Sequence, residues 1–344
     1  MTAIALETSA PSRRLPRWLP ILAILIAAYG IIPAIGTSYL FEAILLPFLA
    51  LSLAALGLNI LTGYAGQLSL GSAAFMAVGA FAAYNFNLRV PDLPLIVSLF
   101  LAGLTAAAFG ILFGLPSLRL RGFYLAVSTL AAQFFVKWAL TRFAWLSNYN
   151  SSGVIDAPPL TLFGLRFEGP LGRYLFALTI VVVLTALAAR LMTTRSGREF
   201  IAIRDNEIAA KVFGVSIFRT KLLAFGLSSF IIGVAGFLWA FAYLRTVEPD
   251  GFNLDRSFSI LFIIIIGGLA SIRGAFFGAA LIVVFPLLLS LLGALIFGGI
   301  FDSGVLDMSQ RIVIGALIIL FLIAEPSGLV ALWDRLTWKF LVRR

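Results

Sequence analysis

Apolar runs long enough to cross a lipid bilayer recur along almost the whole sequence, and nothing else in it constrains the fold as tightly. Runs such as Ile21–Ile32 and Ile260–Ile266 lack the polar–apolar alternation of a membrane β-barrel strand, which leaves a bundle of α-helices as the spanning structure. Only 12% of the residues are charged, about half the share found in soluble domains, and the mean hydropathy is +1.07. The chain therefore reads as an all-α integral membrane protein, a polytopic helical bundle of about ten transmembrane segments. These are 18–35, 40–62, 69–86, 94–116, 122–145, 172–192, 220–244, 256–268, 274–297 and 311–324. A segment of about 22 residues rises about 33 Å, enough for a hydrocarbon core of about 30 Å. Segments 256–268 and 311–324 are short for that and are expected to tilt inward or break. Ser12–Arg17 ahead of the first apolar run also fits a signal peptide, but the many segments that follow favour a first span.

Charge orients the bundle. With ten spans and an inside N-terminus, inside segments carry 17 of the 25 Lys/Arg residues and six of the 15 Asp/Glu residues, leaving eight and nine outside. This is the positive-inside asymmetry, so the net charge of +10 reflects topology rather than nucleic-acid binding. No Lys or Arg lies between Arg17 and Arg89, so charge does not place the turn near Gly63–Gly71. Four spans with that turn at the inner face, or two with a re-entrant pair, both satisfy the parity.

The residue inventory removes several functions. With no His and no Cys, imidazole relays, thiolate nucleophiles and the usual zinc and iron–sulfur sites are excluded, and no cofactor or metal is expected. A membrane-embedded enzyme would need a nucleophile–base or metal cluster, which is disfavoured on the same ground. The dipeptide Gly-Lys never occurs, so the chain has no phosphate-cradling P-loop. No acid pair lies deep in a predicted span, and Glu42 and Glu325 sit near span ends, which argues against an ion-coupled carrier. Lys137 clusters with Trp138, Arg142 and Trp145 toward a predicted outer end, where a snorkelling interfacial cation is the preferred reading.

Two stretches stand out against this background. Asn59–Phe75, N-I-L-T-G-Y-A-G-Q-L-S-L-G-S-A-A-F, places Asn59, Gly63, Gly66, Gln67, Ser69 and Gly71 where a helix would break at or near membrane depth. Backbone groups freed there must face protein or a water-filled cavity, as in the discontinuous helices that line transport paths. A glycine-rich interfacial turn followed by small packing residues fits the same composition. The second stretch, Thr193–Lys221, is the longest polar interruption in the chain. It contains a predicted short helix, with Asp205 able to cap it, Asn206 and Glu207 in its first turn, Lys211 in its last and Gly214 closing it. A helix of two turns has little of its own to pack on and is expected to dock on another chain. An amphipathic element lying on the membrane surface is the other reading.

Several motifs resemble one family. G-Y-A-G-Q-L-S-L-G-S-A-A-F at 63–75, A-I-R-D-N-E-I-A-A-K-V-F-G at 202–214, K-L-L-A-F-G-L-S-S at 221–229, I-G-G-L-A-S-I-R-G-A-F-F-G-A at 266–279 and E-P-S-G-L at 325–329 follow in order. They are similar to the M-type permeases of the high-affinity branched-chain amino acid ABC importers. The resemblance implies a type II importer-like fold, with 1–344 a single transmembrane permease domain and 193–221 a cytoplasmic coupling loop within it. It implies two cytoplasmic ATPase subunits, a second homologous permease and a periplasmic solute-binding protein as partners, alongside membrane lipid. Both termini would be cytoplasmic in the inner membrane of a bacterium. The family's Glu-x-Ala-Ala-x-x-x-Gly coupling signature falls on Glu207, Ala209, Ala210 and Gly214. The chain departs from the family's Gly-Gly-x-Asp-Gly run in the long outer loop, where it has Ser151–Ala157. Related permeases carry urea, short amides and other amino acids, so the resemblance does not specify the substrate.

The expected mechanism follows from both stretches. Movement of the partner ATPases would be felt through Ile208 and Val212, at i, i+4 on one face, with Arg204, Asp205 and Glu207 fixing the register and Asn206 in the same coupling element. The competing class is a secondary carrier or channel for a small polar solute that needs no ATPase.

Overall fold

A computed structural model describes residues 18–90, 92–117, 122–150, 154–162, 165–167, 169–297, 312–313, 315–316, 319–320, 323 and 328–342. Half of the expected last span 311–324, most of the Glu325–Leu329 motif, and Ser151, Ser152 and Gly153 of the outer loop lie outside these residues. By its contacts the chain divides into two compact units at Ser38 and Tyr39. In the first unit, Trp18–Ile26, a π-helical turn at Ala27–Ile31 and Ile32–Ile35 run on as one helix, α1.

The second unit is a helical bundle. Its helices are α2 (Leu40–Tyr64), α3 (Ser72–Arg89), α4 (Leu95–Ser117), α5 (Phe123–Arg142), α6 (Pro170–Thr193), α7 (Arg195–Asp205), α8 (Glu207–Val212), α9 (Ile217–Leu244), α10 (Leu254–Gly267), α11 (Ile272–Phe297) and α12 (Gly328–Val342). Two antiparallel pairs of two-residue strands add the only β-structure among the described residues: Ile155–Asp156 with Thr246–Val247, and Thr161–Leu162 with Leu165–Arg166.

Among the described residues, five helices are long and apolar enough to cross a membrane: α2, α4, α6, α9 and α11. The sequence led us to expect about ten. α3 ends in Asn85, Asn87 and Arg89, and α5 carries Gln133, Lys137 and Arg142, so neither is apolar throughout; α10 has only 14 residues. These shorter and more polar helices are packed against the long ones.

α2 and α9 form the centre of the second unit and are buried along most of their length. Close approach explains the glycines of α9. A Cβ on Gly236 would fall 2.0 Å from the Met76 carbonyl oxygen of α3, and one on Gly79 would fall 2.2 Å from that of Gly233. The two backbones touch, which is how small residues substitute for hydrophobic driving force between helices in lipid. Ser228 donates to the Gly57 carbonyl at 2.7 Å and ties α9 to α2. The one acid near the start of α2, Glu42, pairs with the buried Arg173 of α6, whose Nη1 also donates to the Ala242 carbonyl at 3.1 Å.

Candidate functional site

The break between α2 and α3 lies inside the bundle. At the end of α2, buried Asn59 donates from Nδ2 to the Ser271 carbonyl at 2.7 Å and accepts the Ala270 N–H on Oδ1 at 2.9 Å. It thereby closes the α10–α11 turn, where Ala270 sits at φ +56°. Gly63 fits against that pair, since a Cβ there would fall 2.0 Å from Asn59 Oδ1.

α3 begins at a different level. Leu70 N–H donates to Thr129 Oγ1 of α5 at 2.9 Å, and Ala73 N–H donates to Ser257 Oγ of α10 at 2.9 Å. Ser257 in turn donates to Gln133 Oε1 at 3.1 Å, and Gln133 Nε2 donates to the Phe252 carbonyl at 2.8 Å. Along α10, Ser257 and the turn held by Asn59 are separated by about 15 Å of helix rise, about half of a 30 Å hydrocarbon core. The linking residues rise through the bundle interior, with Gln67, Ser69 and Gly71 all buried. Side chains of other helices meet their backbone, as buried non-helical chain requires. Burial of Gln67, Ser69 and Gly71 is what the first of the two readings left open by the sequence requires, while Gly66 between them and α2 is exposed.

Not every polar atom around the break has a partner. Both amide atoms of Gln67, Ser72 Oγ in the first turn of α3, and Trp239 Nε1 are enclosed without a hydrogen bond. So is Nε of Arg256, whose guanidinium carbon lies 4.0 Å over the Trp239 ring. Trp239 was not singled out in the sequence, and Arg256 follows Asp255 in the chain, so neither its type nor its spacing marked it as unpaired.

The polar stretch folds as two helices. Asp205 ends α7; the N-cap of α8 is Asn206, in extended backbone at φ −158°, whose Oδ1 accepts from Ile208 and Ala209 N–H, both at 3.0 Å. The expectation that Asp205 is the cap is corrected by one residue, because Asp205 still carries helical backbone from α7. The far end behaves as expected. Gly214 adopts φ +82°, Val215 N–H returns to the Ala210 carbonyl and Gly214 N–H to that of Lys211, both at 3.0 Å. This is the paired 6→1 and 5→2 closure that needs a left-handed residue.

Two tethers hold this helix pair to the bundle. Glu207 meets the buried Lys221 of α9 at 3.2 Å. Arg204 donates from Nη1 to the Gly63 carbonyl at 3.1 Å, and its Cγ lies 2.9 Å from where a Cβ on Gly66 would sit. Asp205 accepts from Arg204 Nε at 2.9 Å. Arg204, Asp205 and Glu207, expected to face a partner, are thus engaged within this chain, and Ala210 is buried. What faces outward is apolar: Ile208, Val212 and Phe213 are 73%, 79% and 86% exposed. Phe213 was not among the residues picked from the sequence, although its place beside Val212 on a two-turn helix was a signal. Lys137 pairs with Asp250 at 2.8 Å at the exposed end of α5.

A bundle of spanning helices with a discontinuous helix at its heart, and a capped helix displayed beside it, defines a polytopic membrane protein of the transport type. Residues 40–322 match the family described as branched-chain amino acid transport system / permease component, and the chain belongs to that family. It is 34% identical over 298 residues to the high-affinity branched-chain amino acid transport system permease protein LivM of Salmonella typhimurium, covering 80% of this chain and 66% of the relative. It is 26% identical over 332 residues to the probable branched-chain amino acid transport permease protein LivM of Methanocaldococcus jannaschii, covering 85% and 93%. It is also 28% identical over 285 residues to the autoinducer 2 import system permease protein LsrC of an Enterobacter species, covering 80% and 78%. The chain thus spans slightly less than two thirds of the length of the Salmonella relative. No solved structure matches it.

Proposed function

We propose that the chain is the membrane-spanning permease subunit of an ABC importer for branched-chain or related amino acids, or small amides such as urea. A periplasmic binding protein would deliver the solute, and a second, homologous permease would complete the pathway. Two ATPase subunits would drive transport from the cytoplasmic side. Arg204, Asp205, Asn206, Glu207, Ile208, Ala209, Ala210, Val212 and Gly214 form the coupling element in this reading. Asn59, Gly63, Gly66, Gln67, Ser69 and Gly71 form part of the path.

The observation that carries the proposal is the apolar face of α8. Ile208, Val212 and Phe213 stand exposed on a helix that is fully capped and tethered to the bundle, so the face is held ready for a partner rather than frayed. Burying Ile208 and Val212 would contribute about 3–6 kcal/mol as an upper bound. Arg204 supports the mechanical part, since it bridges the start of this element to Gly63 and Gly66. Force applied to α8 would reach the break through one side chain.

The test is uptake by the complex reconstituted with its ATPases and binding protein. Solute should accumulate with ATP inside the vesicles and not with a pH or sodium gradient alone. Accumulation driven by either gradient without ATP would replace this reading with a secondary carrier.

A further inference from the structure

The part of the bundle beside the start of α3 holds three buried polar atoms, Arg256 Nε, Trp239 Nε1 and Ser72 Oγ, that no described residue satisfies. Arg256 lies in the first turn of α10, one residue before the Ser257 that receives the Ala73 N–H. Among the described residues no carboxylate lies within salt-bridge distance of its guanidinium, and its side chain donates no hydrogen bond. Its cation is instead stacked at 4.0 Å on Trp239, and Trp239 is packed at 4.7 Å against Tyr243. The Trp239 indole is 3% exposed, and its N–H has no acceptor; Ser72, at the start of α3, is fully buried with an unpaired hydroxyl.

The chemistry of this set is one-sided. A guanidinium and an indole N–H can only donate, and a serine hydroxyl can do either. The first turn of an 18-residue helix adds partial positive charge at the same place. Arg256 Nε, Trp239 Nε1 and Ser72 Oγ are enclosed without a partner, which is unfavourable, and an acceptor entering beside them would satisfy them. An aromatic floor beneath a guanidinium orients its planar fork, which suits a planar, two-oxygen anion. A lipid phosphate would require the group to face the hydrocarbon boundary, whereas Trp239 is buried against the bundle.

We propose that Arg256, held by Trp239 and assisted by Ser72, is a binding site for the carboxylate of an amino acid in transit. This rests on the importer reading and goes beyond it by naming the group that is recognised and the residues that recognise it. Arg256 and the Trp239 N–H contact the solute, and the Trp239 ring also sets the plane of the fork. The site would select carboxylates over their amides, because an amide offers one acceptor and no charge to a site built from donors.

The experiment measures uptake of radiolabelled leucine and of leucine amide by the complete importer in vesicles of zwitterionic lipid, with and without added anionic lipid. For the unsubstituted complex, leucine should enter at least tenfold faster than its amide. R256Q should bring the ratio to about one by lowering leucine uptake about tenfold or more, whereas R256K, which keeps the charge but not the fork, should retain most of the preference. W239F, which keeps an aromatic floor and removes the N–H, should lie between them. Co-purification of each variant with the other subunits verifies folding. An unchanged ratio in R256Q, or equal loss of both solutes, overturns the carboxylate site while leaving the importer intact. An R256Q defect seen only when anionic lipid is present shows a lipid contact and also overturns it. A complex that carries neither solute under ATP overturns the site, and the importer reading falls with it only if no related amino acid or urea is accumulated either.

Discussion

At Gly66 the backbone enters the left-handed region, φ +68°, with Arg204 packed against the α-carbon. Gly66→Ala would pay the left-handed penalty of about 1–2 kcal/mol and push the guanidinium away from the Gly63 carbonyl. We expect a lower thermal midpoint for the detergent-purified chain and slower uptake at unchanged expression. Gly169→Ala, at φ −72° with open space around it, should change neither. Asn59, Gly63 and Gly66 could be picked out in the sequence because glycines and an amide are out of place in an apolar run. What they touch was not legible, since Arg204 and Ala270 are distant in the chain and only the closed bundle brings them together.

Among the elements, the long helices were the easiest to anticipate. Segments 40–62, 94–116, 172–192, 220–244 and 274–297 foreshadow α2, α4, α6, α9 and α11 because apolar composition over a span length is a local property. α3 and α5 were harder, because their depth is set by what Thr129, Gln133 and Ser257 bind, not by their own hydropathy. The cap of α8 shows the same limit at finer grain. Asp205 and Asn206 are both good caps, and the choice depends on where α7 ends, which no apolar period announces. For α8 itself the expected result is specific. Ile208→Asp combined with Val212→Asp should abolish co-purification with the ATPases and lower uptake at least tenfold. Because both side chains are exposed, the substituted chain should insert and purify as before. Normal ATPase binding by this variant would rule out α8 as the docking element.

For the molecule as a whole, the seam between α3 and α9 is one of the least forgiving interfaces, matched by that between α10 and α11. Gly236→Val would drive a branched side chain into the Met76 backbone, where a Cβ alone would already be 2.0 Å from an oxygen. Overpacking costs about 1–3 kcal/mol where side chains can shift, and here backbone must move. We expect a polydisperse profile on size exclusion and a fall in thermal midpoint larger than that of Gly66→Ala. Gly30→Ala, with nothing within 4 Å of the added carbon, should remain monodisperse.

The ties that fix the start of α3 and the end of α2 also impose an order on biogenesis. Leu70 waits for Thr129, 59 residues later; Ala73 waits for Ser257, 184 residues later; and Asn59 waits for Ala270 and Ser271, more than 200 residues later. During synthesis the early helices enter the bilayer long before their partners exist, and contacts of such long sequence separation form late. The break therefore spends most of translation with its amide groups open. Its closure waits for the α10–α11 turn, and a nascent protein halted before α10 would present to the insertion machinery a polar seam that only the second half of the sequence can seal.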